Sequence, residues 1–288
     1  MNGGKGFYNE RTGLILMVVG LVIFVVAFIV MNPLGTGMGV SESPQRIVLL
    51  YIYAFAFCLP FAVYWMYKFA RRPDWLAMAG RYIEGMKVPV FSPYSLVAIG
   101  IVGALFAAAG LGDLGGIDLQ AMIIAASASL FGGIVSFFGL FVGQIIARVL
   151  LNPVWVGGVS AGALSLLPYT LMDASIWAYF GWVYFRFVHD RGDKPFWRQF
   201  LIAWVLGEPI HQIWWNLTYW IMNTREAAIL AVLNDWVIPG AGTFFGIPYW
   251  WLSGIVFVPV GLLAGEAARR AMTAGRGQAK KAMTAGGG

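Results

Sequence analysis

Within the stretch Phe196–Met222 (FWRQFLIAWVLGEPIHQIWWNLTYWIM), an acid, an imidazole and two amides recur at helical spacing: Glu208, His211, Gln212 and Asn216. Counted along a 3.6-residue helix, they share one broad face with Trp215 and Tyr219. Such a face can line a small-molecule pocket, and carboxylates among aromatic rings suit a cationic or amine-bearing ring. It can also do no more than satisfy neighbouring helices and the backbone freed by Pro209. A second acid, Asp173, has Tyr169 and Trp177 one turn to either side. Either carboxylate could instead relay protons or be held neutral by burial.

Other chemistries have weaker claims. No HExxH pattern or neighbouring second histidine accompanies Glu208, His211 and Asp173, so no metal site is expected. With only two histidines, His189 and His211, the chain cannot hold two haems on histidine pairs. His189 lies in the charged run HDRGDK and is expected to be solvated. The glycines of FGGIVSFFGLFVG do not form a phosphate loop after a strand, and close helix packing is their expected role. Asn216-Leu217-Thr218 is formally a glycosylation sequon but lies within an apolar stretch. No catalytic set and no cofactor are expected.

The elements that position these residues are membrane helices. Of 288 residues, 60% are hydrophobic and 11% charged, whereas soluble domains carry about 25% charged residues. Long apolar runs predict helices; a barrel would show short alternating segments. The single cysteine, Cys58, sits in an apolar run and provides no disulfide framework. The net charge of +6 is distributed as membrane orientation requires and does not point to nucleic acid.

In chain order, the spans are Leu14–Met31, Ile47–Phe69 and Tyr94–Leu111, then the apolar stretch Leu119–Leu151, then Ser160–Phe185, Phe196–Met222 and Tyr249–Ala268. Between residues 73 and 90, Trp75, Met78, Ala79, Tyr82 and Met86 predict a short interfacial helix. Leu119–Leu151, interrupted by Gly132–Gly133, is either one very long helix or two short ones. Charge separates the two: loops 68–87 and 186–198 are basic and therefore cytoplasmic, so an even number of spans lies between them. With a turn near Gly132–Gly133 the chain makes eight passes. Of 19 lysines and arginines, only Arg46, Arg148 and Arg225 then fall outside. Leu119–Phe131 is too short to cross about 30 Å of hydrocarbon upright, so it should be a partial or a protein-shielded element.

The expected fold is all-α: a polytopic transmembrane helical bundle of about eight spans (2 + 6), both termini cytoplasmic, in the plasma membrane. Residues 1–92 form a two-span extension with its connector, 93–271 a six-helix membrane domain, and 272–288 a disordered tail.

From about Tyr94 to Ala271 the chain resembles the substrate-binding (S) component of energy-coupling factor (ECF) transporters. The resemblance is carried by GIVGALFAAAG, FGGIVSFFGLFVGQIIARVLLNP, SAGALSLLPYTLMDASIWAYFGWVYFRF with its basic end, and IPYWWLSGIVFVPVGLLAGEAARRA. It implies six helices holding a vitamin, a vitamin precursor or a metal ion in a pocket open to the outside. It also implies docking by small residues of the first of these helices (here Gly100, Ala104 and Ala108) onto a transmembrane coupling subunit driven by two ATPases. The chain itself has no ATPase motif. The expected function is non-enzymatic: capture of a small, vitamin-like, cationic solute for uptake. Tyr169, Asp173, Glu208, His211, Gln212, Trp215, Asn216 and Tyr219 would line the site. Two alternatives stay open: a non-catalytic or cofactor-holding subunit of a multi-protein membrane complex, and an intramembrane enzyme acting on lipid with the same carboxylates.

Overall fold

The computed structural model describes residues 9–31, 44–71, 93–110, 118–151, 162–223, 243–244, 247–248 and 253–285. These build eight helices. α1 is Glu10–Met31, and α2 joins Pro44–Tyr51, a π-helical turn Ile52–Cys58 and Leu59–Ala70. α3 is Pro93–Ala109, α4 Leu119–Leu130, and α5 Gly133–Ile146 with the π segment Ala147–Leu151. α6 runs Gly162–Tyr184 and ends in the π segment Phe185–His189; α7 is Phe196–Asn223; α8 joins the π segment Ser253–Phe257 to Val258–Ala285. Thr243–Phe244 and Ile247–Pro248 pair as a two-residue antiparallel ribbon. The connector expected at 73–90 lies outside the described residues.

Local chemistry sets the helix ends. Asn9 Oδ1 accepts the Thr12 amide at 2.9 Å, and Asp118 Oδ1 accepts the Ala121 amide at 2.8 Å, so both start α1 and α4 as N-caps. The break between α4 and α5 falls at Gly132, whose φ of 84° only glycine adopts without strain. α8 does not stop near Ala271: the tail expected to be disordered is helical to Ala285, because alanine, glutamine and lysine outweigh its two interior glycines in helix propensity.

The packing directions alternate. Glu10 at the start of α1 pairs with Lys68 at the end of α2 at 2.9 Å, so the two are antiparallel. Phe61 meets Tyr179 and Phe69 meets Phe185, which sets α2 parallel to α6. α6 and α7 are antiparallel, since Tyr179 donates to the Leu206 carbonyl and Trp214 to the Met172 carbonyl. Gly139 lies against Ile99 and Val102 and Gly143 against Gly103 and Phe106, so α3 runs with α5; Gly261 and Gly265 lie against Met122 and Ala126, so α8 runs with α4.

The short α4–α5 hairpin is buried. Gly133 approaches the Ala178 backbone, and Gly181 approaches Gly133 in turn. Ser127 and Ser136 satisfy each other across the hairpin at 3.0 Å. On the outside of the bundle, α1 exposes Val22, Val26 and Val30, α3 exposes Val97 and Ile101, and α7 exposes Leu201, Val205 and Ile213. Two helices, Glu10–Met31 and Ile47–Ala70, are long and apolar enough to cross a membrane.

Candidate functional site

Glu208 lies mid-way along α7 and is 5% exposed. Its Oε1 accepts from Gln212 Nε2 at 2.6 Å and faces His211 Nδ1 at 3.3 Å. Its Oε2 is buried and, among the described residues, has no hydrogen-bond partner. Both contacts thus converge on one oxygen of the carboxylate and leave the other bare among the described residues, an arrangement that buried polar groups rarely tolerate without a further partner.

Neighbouring helices close around this carboxylate. The Trp177 ring of α6 sits 4.9 Å from the His211 imidazole. Trp204 Nε1 donates to the Gly254 carbonyl at 2.9 Å, tying α7 to the first turn of α8. A Cβ at Gly254 would overlap Glu208 Oε1 and stand 2.8 Å from Gln212 Nε2, so α8 reaches the carboxylate only because residue 254 is glycine. One residue earlier, Ser253 Oγ donates to Asp118 Oδ2 at 2.9 Å. Asp118, the N-cap of α4, is partly exposed. Burial raises its carboxyl above the usual range, against the pull of the Ala121 amide, the Ser253 hydroxyl and the charge of His211.

Asp173 is engaged differently. It accepts from Gln144 Nε2, and Gln144 Oε1 accepts from Arg148 Nε, both from α5. The Arg148 guanidinium stacks 4.0 Å over the Tyr169 ring. Asp173, Gln144 and Arg148 are each at most 6% exposed. The Asp173 charge is therefore balanced within the protein by the buried Arg148.

Of the expected site residues, Glu208, His211 and Gln212 come together as one cluster. Tyr169 and Asp173 form a second, Arg148-centred one beside it, and His211 feels the Asp173 charge. Trp215, Asn216 and Tyr219 lie on the same helix, but their side chains are outside the described residues. Gly100, Ala104 and Ala108 occupy the outer face of α3, with nothing within 4 Å of a Cβ placed on Gly100. Helix contact inside the chain instead uses Gly103, against α5. Gln144, Arg148, Asp118 and Ser253 were not anticipated. The one signal available was Gln144 and Arg148 four residues apart in an otherwise apolar stretch.

His189 is not solvated. Its side chain is 8% exposed, and Nε2 lies 3.2 Å from Glu266 Oε2. The wide turn Phe185–His189 swings it off the loop and onto α8, where Arg269 and Arg270 also hold Glu266 at 2.8 Å. This cluster fastens α6 to α8 and stands apart from Glu208. Among the described residues, no group of three or more histidine, cysteine or acidic side chains is arranged to hold a metal. No family model, curated protein or solved structure matches the chain.

Proposed function

We propose that the chain is a multi-pass plasma-membrane protein of eight spans, with both termini cytoplasmic, that captures a small cationic solute without chemically altering it. The observation that carries this is the bare Oε2 of Glu208, buried beside tryptophan and histidine and ready to accept from an N–H or to sit against a positive ring. The alternating helix directions and the apolar outer faces of α1, α3 and α7 support the membrane reading. A role like that of an ECF S component fits residues 94–271, with α1 and α2 as additions and with ATPases supplied by other chains. Native mass spectrometry of the gently purified protein should find a small organic cation bound to it. Protein that carries only lipid, and no solute after incubation with lysate metabolites, would overturn the capture role.

A second reading, a subunit of a multi-protein membrane complex, is favoured by one feature. Gly100, Ala104 and Ala108 form a shallow exposed strip flanked by Val97, Ile101 and Leu105. Close helix approach needs such small residues. Ala104→Leu should insert and fold normally, since Ala104 faces away from the bundle, yet lose co-purifying membrane subunits. Unchanged subunit recovery on affinity purification would assign the strip to lipid.

A further inference from the structure

The charges around Glu208 do not balance. His211 lies 3.3 Å from Glu208 of its own helix, and Asp118 at the start of α4 and Asp173 of α6 are near enough to act on it electrostatically; among the described residues the guanidinium in this cluster is Arg148 of α5, joined to Asp173 through Gln144. Gln212 and Ser253, the polar groups that α7 and α8 add, are neutral. Among the described residues, three carboxylates thus stand against a single permanent cation. In a low-dielectric interior such an excess is costly unless protons or a cation offset it.

The hydrogen bonds say where the offsetting proton sits. Gln212 can only donate to Glu208 Oε1 through its amide nitrogen, and His211 Nδ1 faces that same oxygen at 3.3 Å. Against an ionised Glu208, the imidazole nitrogen that faces it carries its hydrogen, so Nδ1 is then protonated whatever the charge of the ring. The proton that can come and go is the one on Nε2. With it, His211 is an imidazolium that balances Glu208; without it, the ring is neutral and Glu208 needs another positive partner.

We propose that His211 is protonated while the site is free of solute and sheds its Nε2 proton when a cationic solute seats against Glu208 Oε2, so that one cation is exchanged for one proton. The proposal rests on the reading of this site as a solute pocket. No covalent bond changes: the solute brings one positive charge, the imidazolium gives one up to solvent, and the net charge of the cluster is conserved. Asp118 is the most exposed of the three acids. Uptake of such a solute would then be favoured on the less acidic side of the membrane, and acid would promote its release.

The test compares 1-methylnicotinamide, a planar monocation, with neutral nicotinamide, reading quenching of tryptophan fluorescence in detergent-solubilised full-length protein. Between about pH 5 and 8, where a histidine changes charge, affinity for the cation should rise about tenfold per pH unit while the imidazolium persists, the slope that release of one proton requires. A pH indicator in weak buffer should report one proton released per cation bound. His211→Asn keeps a donor toward Glu208 but cannot titrate, so it should bind the cation with no pH slope; His211→Gln serves if the asparagine variant folds poorly. A wild-type protein that binds the cation equally at all these pH values, with no proton released, overturns the exchange and leaves the solute pocket standing. A protein that binds neither compound at any pH, nor a wider series of monovalent organic cations, overturns the pocket itself.

Discussion

Gly181→Ala should sharply lower the melting temperature of the solubilised protein. A methyl group on residue 181 would meet the backbone of Gly133 and stand 2.8 Å from the Gly132 carbonyl carbon, and backbone cannot swing aside as a long side chain can. Overpacking typically costs about 1–3 kcal/mol and more where the main chain must move; this crossing belongs at the top of that range. Gly133→Ala meets the Ala178 backbone and should behave alike. The control is Gly100→Ala, which adds the same methyl where nothing lies within 4 Å. It should leave stability unchanged or raise it by up to about 1 kcal/mol, the helix penalty of an interior glycine. Differential scanning fluorimetry of the three variants suffices, and equal melting temperatures for Gly181→Ala and Gly100→Ala would contradict the buried crossing.

The second large effect separates the two carboxylates that share the interior. Glu208→Gln keeps the shape and the acceptor toward Gln212 and His211 but places an amide where the bare oxygen was. It should cost about 1–3 kcal/mol of affinity for a cationic solute, roughly five- to 150-fold, with little loss of stability. Asp173→Asn should do the opposite. It removes the carboxylate that balances Arg148, and an uncompensated buried charge costs about 3–5 kcal/mol of stability. Binding by the surviving folded protein should change far less than in Glu208→Gln. Thermal melting and 1-methylnicotinamide binding, measured on both variants, decide it; a melting loss confined to Glu208→Gln would exchange the two roles.

Much of this was legible before the fold. Helical periodicity alone grouped Glu208, His211 and Gln212, because residues three and four apart must be neighbours on one helix. The pair Gly132–Gly133 announced a break in an apolar stretch otherwise long enough for one continuous helix, and the basic loops on either side required that break. What could not be read was partnership across helices. Gln144 and Arg148 look like one more polar turn until α6 brings Asp173 beside them, and nothing along the chain relates Asp118 to Ser253. His189 misled because a run of charged neighbours usually means solvent; the wide turn that carries it inward leaves no mark in composition. The position of Asp173 among aromatic residues marked it as unusual, with ligand contact, proton relay or neutrality all open; its internal partner, Gln144 with Arg148, could not be read because it comes from another helix.

The parallel pairing of α4 with α8 has a consequence in time. Asp118 and its partner Ser253 are 135 residues apart, and at about 5–20 residues per second of synthesis the short helix waits roughly 7–27 s for its neighbour to be made. In that interval the face that Gly261 and Gly265 will cover, along Met122, Ala125 and Ala126, lacks the cover that α8 gives it. If the bundle spans a membrane as proposed, α4 is also too short to cross about 30 Å of hydrocarbon alone. The nascent bundle is therefore incomplete until its last helix leaves the ribosome, and a chain that stops after Asn223 should be recognised as unfinished and degraded.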